Sequence, residues 1–164
     1  MVKRTLNAVR RNHALEHATI AVMLGRQGPT RVVGRASPDG FYVWANVATE
    51  KLREFADEAL GRLQRGESHL AVSPLCGTNL VVAGILAGAG SYMAASLGRR
   101  RLDGLSSAMI AALLGVVAAQ PLGRLVQKHY TTLPDLEGIE IVGVERIGRT
   151  GLHKVRTRAV GLPG

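Results

Sequence analysis

The sequence predicts an α+β protein with a membrane insertion: a two-helix transmembrane hairpin inserted in a small antiparallel-sheet domain that two helices cover. Three observations predict it. Two uncharged apolar runs stand back to back in mid-chain, strand-patterned segments lie on both sides of them, and two segments ahead of them have helical periodicity. At 164 residues there is room for one such domain and not for two independent cores.

The first helix is expected from Thr5 to Leu24, a stretch without Pro or Gly that Gly25 and then Gly28-Pro29 bring to an end. Leu6, Val9, His13, His17, Ile20 and Leu24 recur at helical spacing, which sets two histidines in an otherwise apolar stripe. Arg31 to Ala36 and Phe41 to Val47 are rich in Val and aromatics and flank Ser37-Pro38-Asp39-Gly40. In that turn Pro presets φ and Gly admits positive φ, so the two segments form a hairpin. A second helix follows from Thr49, with Leu52, Phe55, Ala56, Ala59, Leu60 and Leu63 as its buried face, and Gly66 ends it. His69 to Ser73 reads as a third short strand running into Pro74.

The composition then changes sharply. Thr78 to Leu97 is twenty residues without a charge, the length of a bilayer crossing. Arg99, Arg100 and Arg101 stop it, and Leu105 to Leu122 adds eighteen more uncharged residues before Arg124. A soluble helix needs a solvated face, and neither run supplies one. Gly84 and Gly88 form a GxxxG, with Ala83, Ala87, Gly90 and Ala94 keeping one side small, so close helix packing is expected there.

Beyond Pro134, Ile139 to Ile147 and His153 to Val160 are β-rich. In the second, Lys154, Arg156 and Arg158 alternate with Val155, Thr157 and Ala159, the period of a half-buried strand. Neither end of the chain has enough strands to stand alone, so both are expected to build one sheet. Residues 1–76 then form the first part of a basic α/β domain, 77–123 the transmembrane hairpin, and 124–164 the strands that complete the domain.

Lys and Arg number 21 against 12 Asp and Glu, a net charge of +9 that suits nucleic acid or an anionic lipid surface. No basic patch is interleaved with stacking rings, which puts nucleic acid second to the lipid bilayer and to anionic lipid in particular. The small-residue helices add an expectation of homo-oligomers or of a membrane protein partner. Cys76 is the sole cysteine, so no internal disulfide forms. The polar stretch containing Arg10, Arg11, Asn12 and His13 is unlike a cleaved signal, so the α/β domain is expected on the cytoplasmic side.

His13-Ala14-Leu15-Glu16-His17 is an H-x-x-E-H. On a helix its histidines lie one turn apart on one face, close enough to share an ion, with Glu16 beside them. The pattern is similar to the inverted motif of zinc peptidases, and the resemblance implies two histidine ligands and a glutamate base for a zinc-activated water. It covers these five residues, and the later glutamate ligand of those enzymes has no evident counterpart here. The competing reading is a pair of core histidines bonded to Glu16, Asn12 or backbone.

Cys76 is the best third ligand, in Leu75-Cys76-Gly77-Thr78-Asn79 at the start of the first apolar helix, whose positive end favours thiolate. Two His and one Cys leave a fourth position for water, as in a catalytic zinc site. The bland reading of Cys76 is a small buried hydrophobe at a helix start. Asn12, His69, Asn79 and His129 are secondary candidates, and Glu137 and Glu140 are weaker ligands.

The segments Arg11-Asn12-His13-Ala14-Leu15-Glu16-His17-Ala18-Thr19 and Cys76-Gly77-Thr78-Asn79, with a glycine-rich apolar hairpin after them, resemble a family of small bacterial membrane proteins defined by a domain of unknown function. The resemblance implies a bacterial membrane location, hence the inner membrane with two spans, and carries no activity with it.

Three functions follow from these residues. The first is a membrane-bound zinc hydrolase, peptidase-like, with His13, His17 and Cys76 on the metal and Glu16 as general base. The second is a non-enzymatic structural or regulatory membrane subunit that grips anionic lipid or a protein partner. The third is a thiol enzyme with Cys76 as nucleophile and His13 or His17 as its base.

Overall fold

The computed structural model describes residues 2–97 and 101–160. In chain order they form α1 (Val2–Gln27), β1 (Val32–Ser37), β2 (Gly40–Ala45), α2 (Thr49–Gln64), a 3-10 helix (Ser68–Ala71), α3 (Gly77–Leu97), α4 (Arg101–Val126), a π-helical turn (Gln127–Thr131), β3 (Ile139–Ile147) and β4 (Leu152–Ala159). Contacts divide the chain into two compact units: the residues through Ser73 with those from Lys128 on, and Pro74–Gln127.

The first unit is α+β. Its four strands are antiparallel in the order β1-β2-β4-β3, so strands from either side of the apolar helices share one sheet. The β1–β2 turn closes Ser37 onto Gly40, where φ is +140° and the backbone lies against the Val155 carbonyl. A β-carbon at Gly40 has no room there.

One face of the sheet is covered by α1 and α2. Phe41, Val43, Val155 and Ile141 from the strands meet Leu15, Ala18, Val22 and Met23 of α1 and Leu52, Phe55, Ala59 and Leu63 of α2. Each fully buried Leu, Met or Phe contributes about 1.5–3 kcal/mol by leaving water. The α2 face is the one its periodicity predicts.

Two sequence expectations for this unit are corrected. The segment His69 to Ser73 is not a strand: Ser68–Ala71 is a 3-10 helix packed on α1. Gly66 turns the chain at φ +91° and the Val72 N–H bonds the His69 carbonyl, so Pro74 arrives before the chain could reach a sheet edge. The stripe of α1 is also displaced. Leu6 is 56% exposed, whereas Ala14, Leu15 and Ala18 are fully buried, because α1 packs on both α2 and the sheet and buries a wider arc than one line of residues.

In the second unit α3 and α4 pack along each other. Gly77–Leu97 and Gly104–Thr131 are each long and apolar enough to cross a membrane, and Asn79 is the one buried residue of the first. The expected stops Arg99 and Arg100 lie outside the described residues, and Arg101 opens α4. The close approach differs from the GxxxG expectation. Gly84 and Gly88 have nothing within 4 Å of where a β-carbon would stand, whereas one on Gly115 would come within 2.7 Å of the Ala87 backbone nitrogen. Ser91 Oγ donates to the Ala108 carbonyl at 3.0 Å, adding a polar clasp between the helices.

Candidate metal centre

Helix α1 places His13 and His17 one turn apart, with ring centroids 4.3 Å from each other and planes at 60°. His17 is buried and His13 half-buried. Each ring is held through Nδ1 by a backbone carbonyl, His13 by Thr131 at 2.9 Å and His17 by Ala71 at 2.8 Å. A carbonyl only accepts, so both Nδ1 atoms carry the proton and donate it, which puts each ring's lone pair on Nε2. Backbone bonding at Nδ1 is the arrangement foreseen for core histidines. It is also the support that fixes the tautomer and ring angle of metal-ligating histidines.

The carbonyls are themselves fixed. The 3-10 helix that replaces the expected strand presents Ala71 to His17. The π-helical turn and the segment after it are laced to the third turn of α1. Arg10 Nη2 donates to the His129 and Thr132 carbonyls at 3.0 and 3.2 Å, Leu133 N–H donates back to the Arg10 carbonyl at 3.0 Å, and Arg11 holds the Asp135 carbonyl and carboxylate at 2.9 and 3.2 Å. Thr131 therefore meets His13 in a defined position. Its hydroxyl is buried with no hydrogen-bond partner among the described residues.

Glu16 is buried beside the pair, and its carboxyl group lies against the backbone of Gly34 on β1, in the space a β-carbon would occupy. Burial, which penalises the charged form, raises its pKa from 4.5 to about 7, and the neighbouring His13 opposes part of that rise. No hydrogen bond or ion pair reaches this carboxyl among the described residues. A carboxyl that titrates near neutrality is suited to accept and return a proton.

The remaining candidates have other places. Asn12 joins three elements: its Nδ2 donates to the Ser37 and Pro38 carbonyls at 2.8 and 3.2 Å, and its Oδ1 accepts from Thr157 Oγ1 at 2.7 Å. His69 and His129 are exposed. Glu140 faces Arg158 at 3.8 Å, and Glu137 takes part through its backbone N–H, which donates to the Asp135 carboxylate at 3.3 Å.

In the second unit Cys76 precedes α3, where its sulfur accepts the Thr78 N–H at 3.4 Å and stands 3.3 Å from Thr78 Oγ1. Asn79 is buried and bridges that unit: Nδ2 donates to the Pro74 carbonyl at 2.8 Å, and Oδ1 accepts from Gln127 at 2.9 Å beside Gly123.

Gly34, Thr131, Ala71 and Arg10 were not singled out from sequence. Arg10 immediately precedes Arg11-Asn12-His13, and that adjacency was the available signal. The other three come from distant segments, and nothing in their local pattern marks them.

A family model described as a domain of unknown function, DUF6391, matches residues 8–144. An uncharacterized protein of Picosynechococcus sp. is 34% identical over 139 residues, spanning 79% of this chain and 68% of that one. No solved structure matches the chain. With the family model running from the first half of α1 into β3, through the paired histidines, Cys76 and both apolar helices, the chain belongs to the DUF6391 family.

Proposed function

We propose that this protein is a membrane-bound, zinc-dependent hydrolase of peptidase-like chemistry, with His13, His17 and Cys76 as metal ligands and Glu16 as general base. The observation that carries this reading is the pair of imidazoles on α1, both with Nδ1 committed to backbone carbonyls and the lone pair therefore on Nε2. Two histidines one turn apart would supply two of the ligands a zinc ion takes. Cys76 is assigned the third on chemical grounds. It follows Ala71, the residue that holds His17, by five positions, and chain length alone keeps the two within about 18 Å. The Thr78 N–H it accepts favours thiolate, the form that ligates.

A zinc held by these residues would supply Lewis acidity toward a water and the scissile carbonyl. Glu16 takes one proton from the water as its oxygen bonds to the carbonyl carbon. It then delivers that proton to the amine nitrogen as the C–N bond breaks. The apolar helices α3 and α4 are assigned to the bilayer of a bacterial inner membrane, with the sheet domain on the cytoplasmic side.

Metal analysis of protein purified without added metal tests the reading. About one zinc per chain is expected, falling to near zero in His17→Ala and strongly in Cys76→Ala. Glu16→Gln should keep its zinc and lose hydrolysis of a quenched-fluorophore peptide panel. Zinc far below one per chain, or hydrolysis that survives Glu16→Gln, overturns it. Full zinc with no hydrolysis of any peptide moves the assignment to a structural or regulatory membrane subunit.

A further inference from the structure

The face of the sheet turned away from α1 and α2 carries a row of apolar side chains in register. Val33 pairs with Trp44, Trp44 with Leu152, and Leu152 with Ile147, one residue from each strand. Cross-strand partners point to the same side of a sheet. That side is the open one here, because the alternate residues Val43, Ala45 and Val155 are buried in the core. Val33, Trp44 and Ile147 are 68%, 54% and 39% exposed, so an apolar stripe crosses the sheet uncovered.

Trp44 is held in place, since its indole N–H donates to the Thr150 carbonyl at 2.6 Å. Around it, Val33 and Trp44 share the walls of an open depression of about 680 Å³ with Arg31, Arg146 and Arg149. Among the described residues, no acidic one lines this depression. None of the three guanidinium groups forms an ion pair among the described residues, whereas Arg53, Arg62 and Arg156 on the same unit each meet a carboxylate.

An apolar row with a fixed indole, ringed by unneutralised guanidinium groups, has the composition of a surface that lies in lipid headgroups. The ring sits at the interface and the cations meet phosphate. A second copy docked face to face would set like charges against each other, which disfavours self-association here.

We propose that this Val33, Trp44, Leu152 and Ile147 face docks on an anionic phospholipid surface, with Trp44 at headgroup depth and Arg31 and Arg149 on the phosphates. The inference is independent of the metal centre. Trp44 is the only tryptophan, so its fluorescence reports this face alone.

The full chain is reconstituted in phosphatidylcholine vesicles with and without phosphatidylglycerol. With the anionic lipid, Trp44 emission should shift to the blue, be quenched by brominated phosphatidylglycerol, and be shielded from acrylamide. Arg31→Glu, in the loop ahead of β1, and Arg149→Glu, in the turn between β3 and β4, should each restore acrylamide quenching several-fold with unchanged circular dichroism. Equal acrylamide access in both vesicles, or no quenching by brominated lipid, overturns the proposal. Shielding from acrylamide without bromine quenching also overturns it and assigns the face to a protein.

Discussion

The carboxyl group of Glu16 on α1 occupies the space above Gly34 on β1 that any other residue's β-carbon would fill. A glycine inside a strand weakens it, and here the missing side chain makes room for a buried acid beside two histidines.

Gly34→Ala is therefore expected to displace Glu16. The change should cost about 1–3 kcal/mol in unfolding free energy, the usual cost of overpacking. Zinc content should stay near that of the parent, while peptide hydrolysis falls on the order of tenfold or more because the base is misplaced. Chemical denaturation, metal analysis and steady-state kinetics on one preparation separate the three effects.

The raised pKa of Glu16 makes stability depend on pH in one direction. Its folded value of about 7 stands above 4.5, so the neutral form is the one folding favours. This contribution is fully present below pH 4.5, declines as pH rises toward about 7, and is absent above that. The gap between the two pKa values corresponds to a loss of about 3 kcal/mol across the window. Denaturant midpoints of metal-stripped protein from pH 4.5 to 8 should show the decline, and Glu16→Gln should flatten it.

Asn12 is expected to matter for the fold and not for metal. Asn12→Ala removes its bonds to Ser37, Pro38 and Thr157, which tie α1 to the β1–β2 turn and to β4. A loss of roughly 2–3 kcal/mol in stability follows from leaving those buried groups unmet, with zinc stoichiometry unchanged. Thermal unfolding and metal analysis of the variant test both halves.

The hairpin of apolar helices distinguishes its glycines. Gly115→Ala drives a β-carbon into the Ala87 backbone, whereas Gly84→Ala and Gly88→Ala meet nothing within 4 Å. The first should lower the unfolding temperature in detergent, and the other two should leave it unchanged. Equal effects from all three would show that α3 and α4 pack differently.

Much of this protein was legible from residue order alone. The α2 face of Leu52, Phe55 and Leu63, the turn at Ser37 to Gly40, the two uncharged runs and the pairing of both chain ends in one sheet all follow from local periodicity and from strands needing partners. The H-x-x-E-H spacing likewise determined that His13 and His17 would face each other, because 3.6 residues per turn requires it.

The tertiary structure decided what those residues touch. Ala71 and Thr131, 54 and 118 positions away from the histidines they hold, fix the tautomer of each ring, and Gly34 leaves room for the Glu16 carboxyl, whose burial lifts its pKa. The segment at Ser68–Ala71 became a 3-10 helix because its hydrogen bonds close locally before the chain can reach a sheet edge. Burial, ring orientation and proton position depend on groups brought together by packing across long stretches of chain, and no local pattern encodes them.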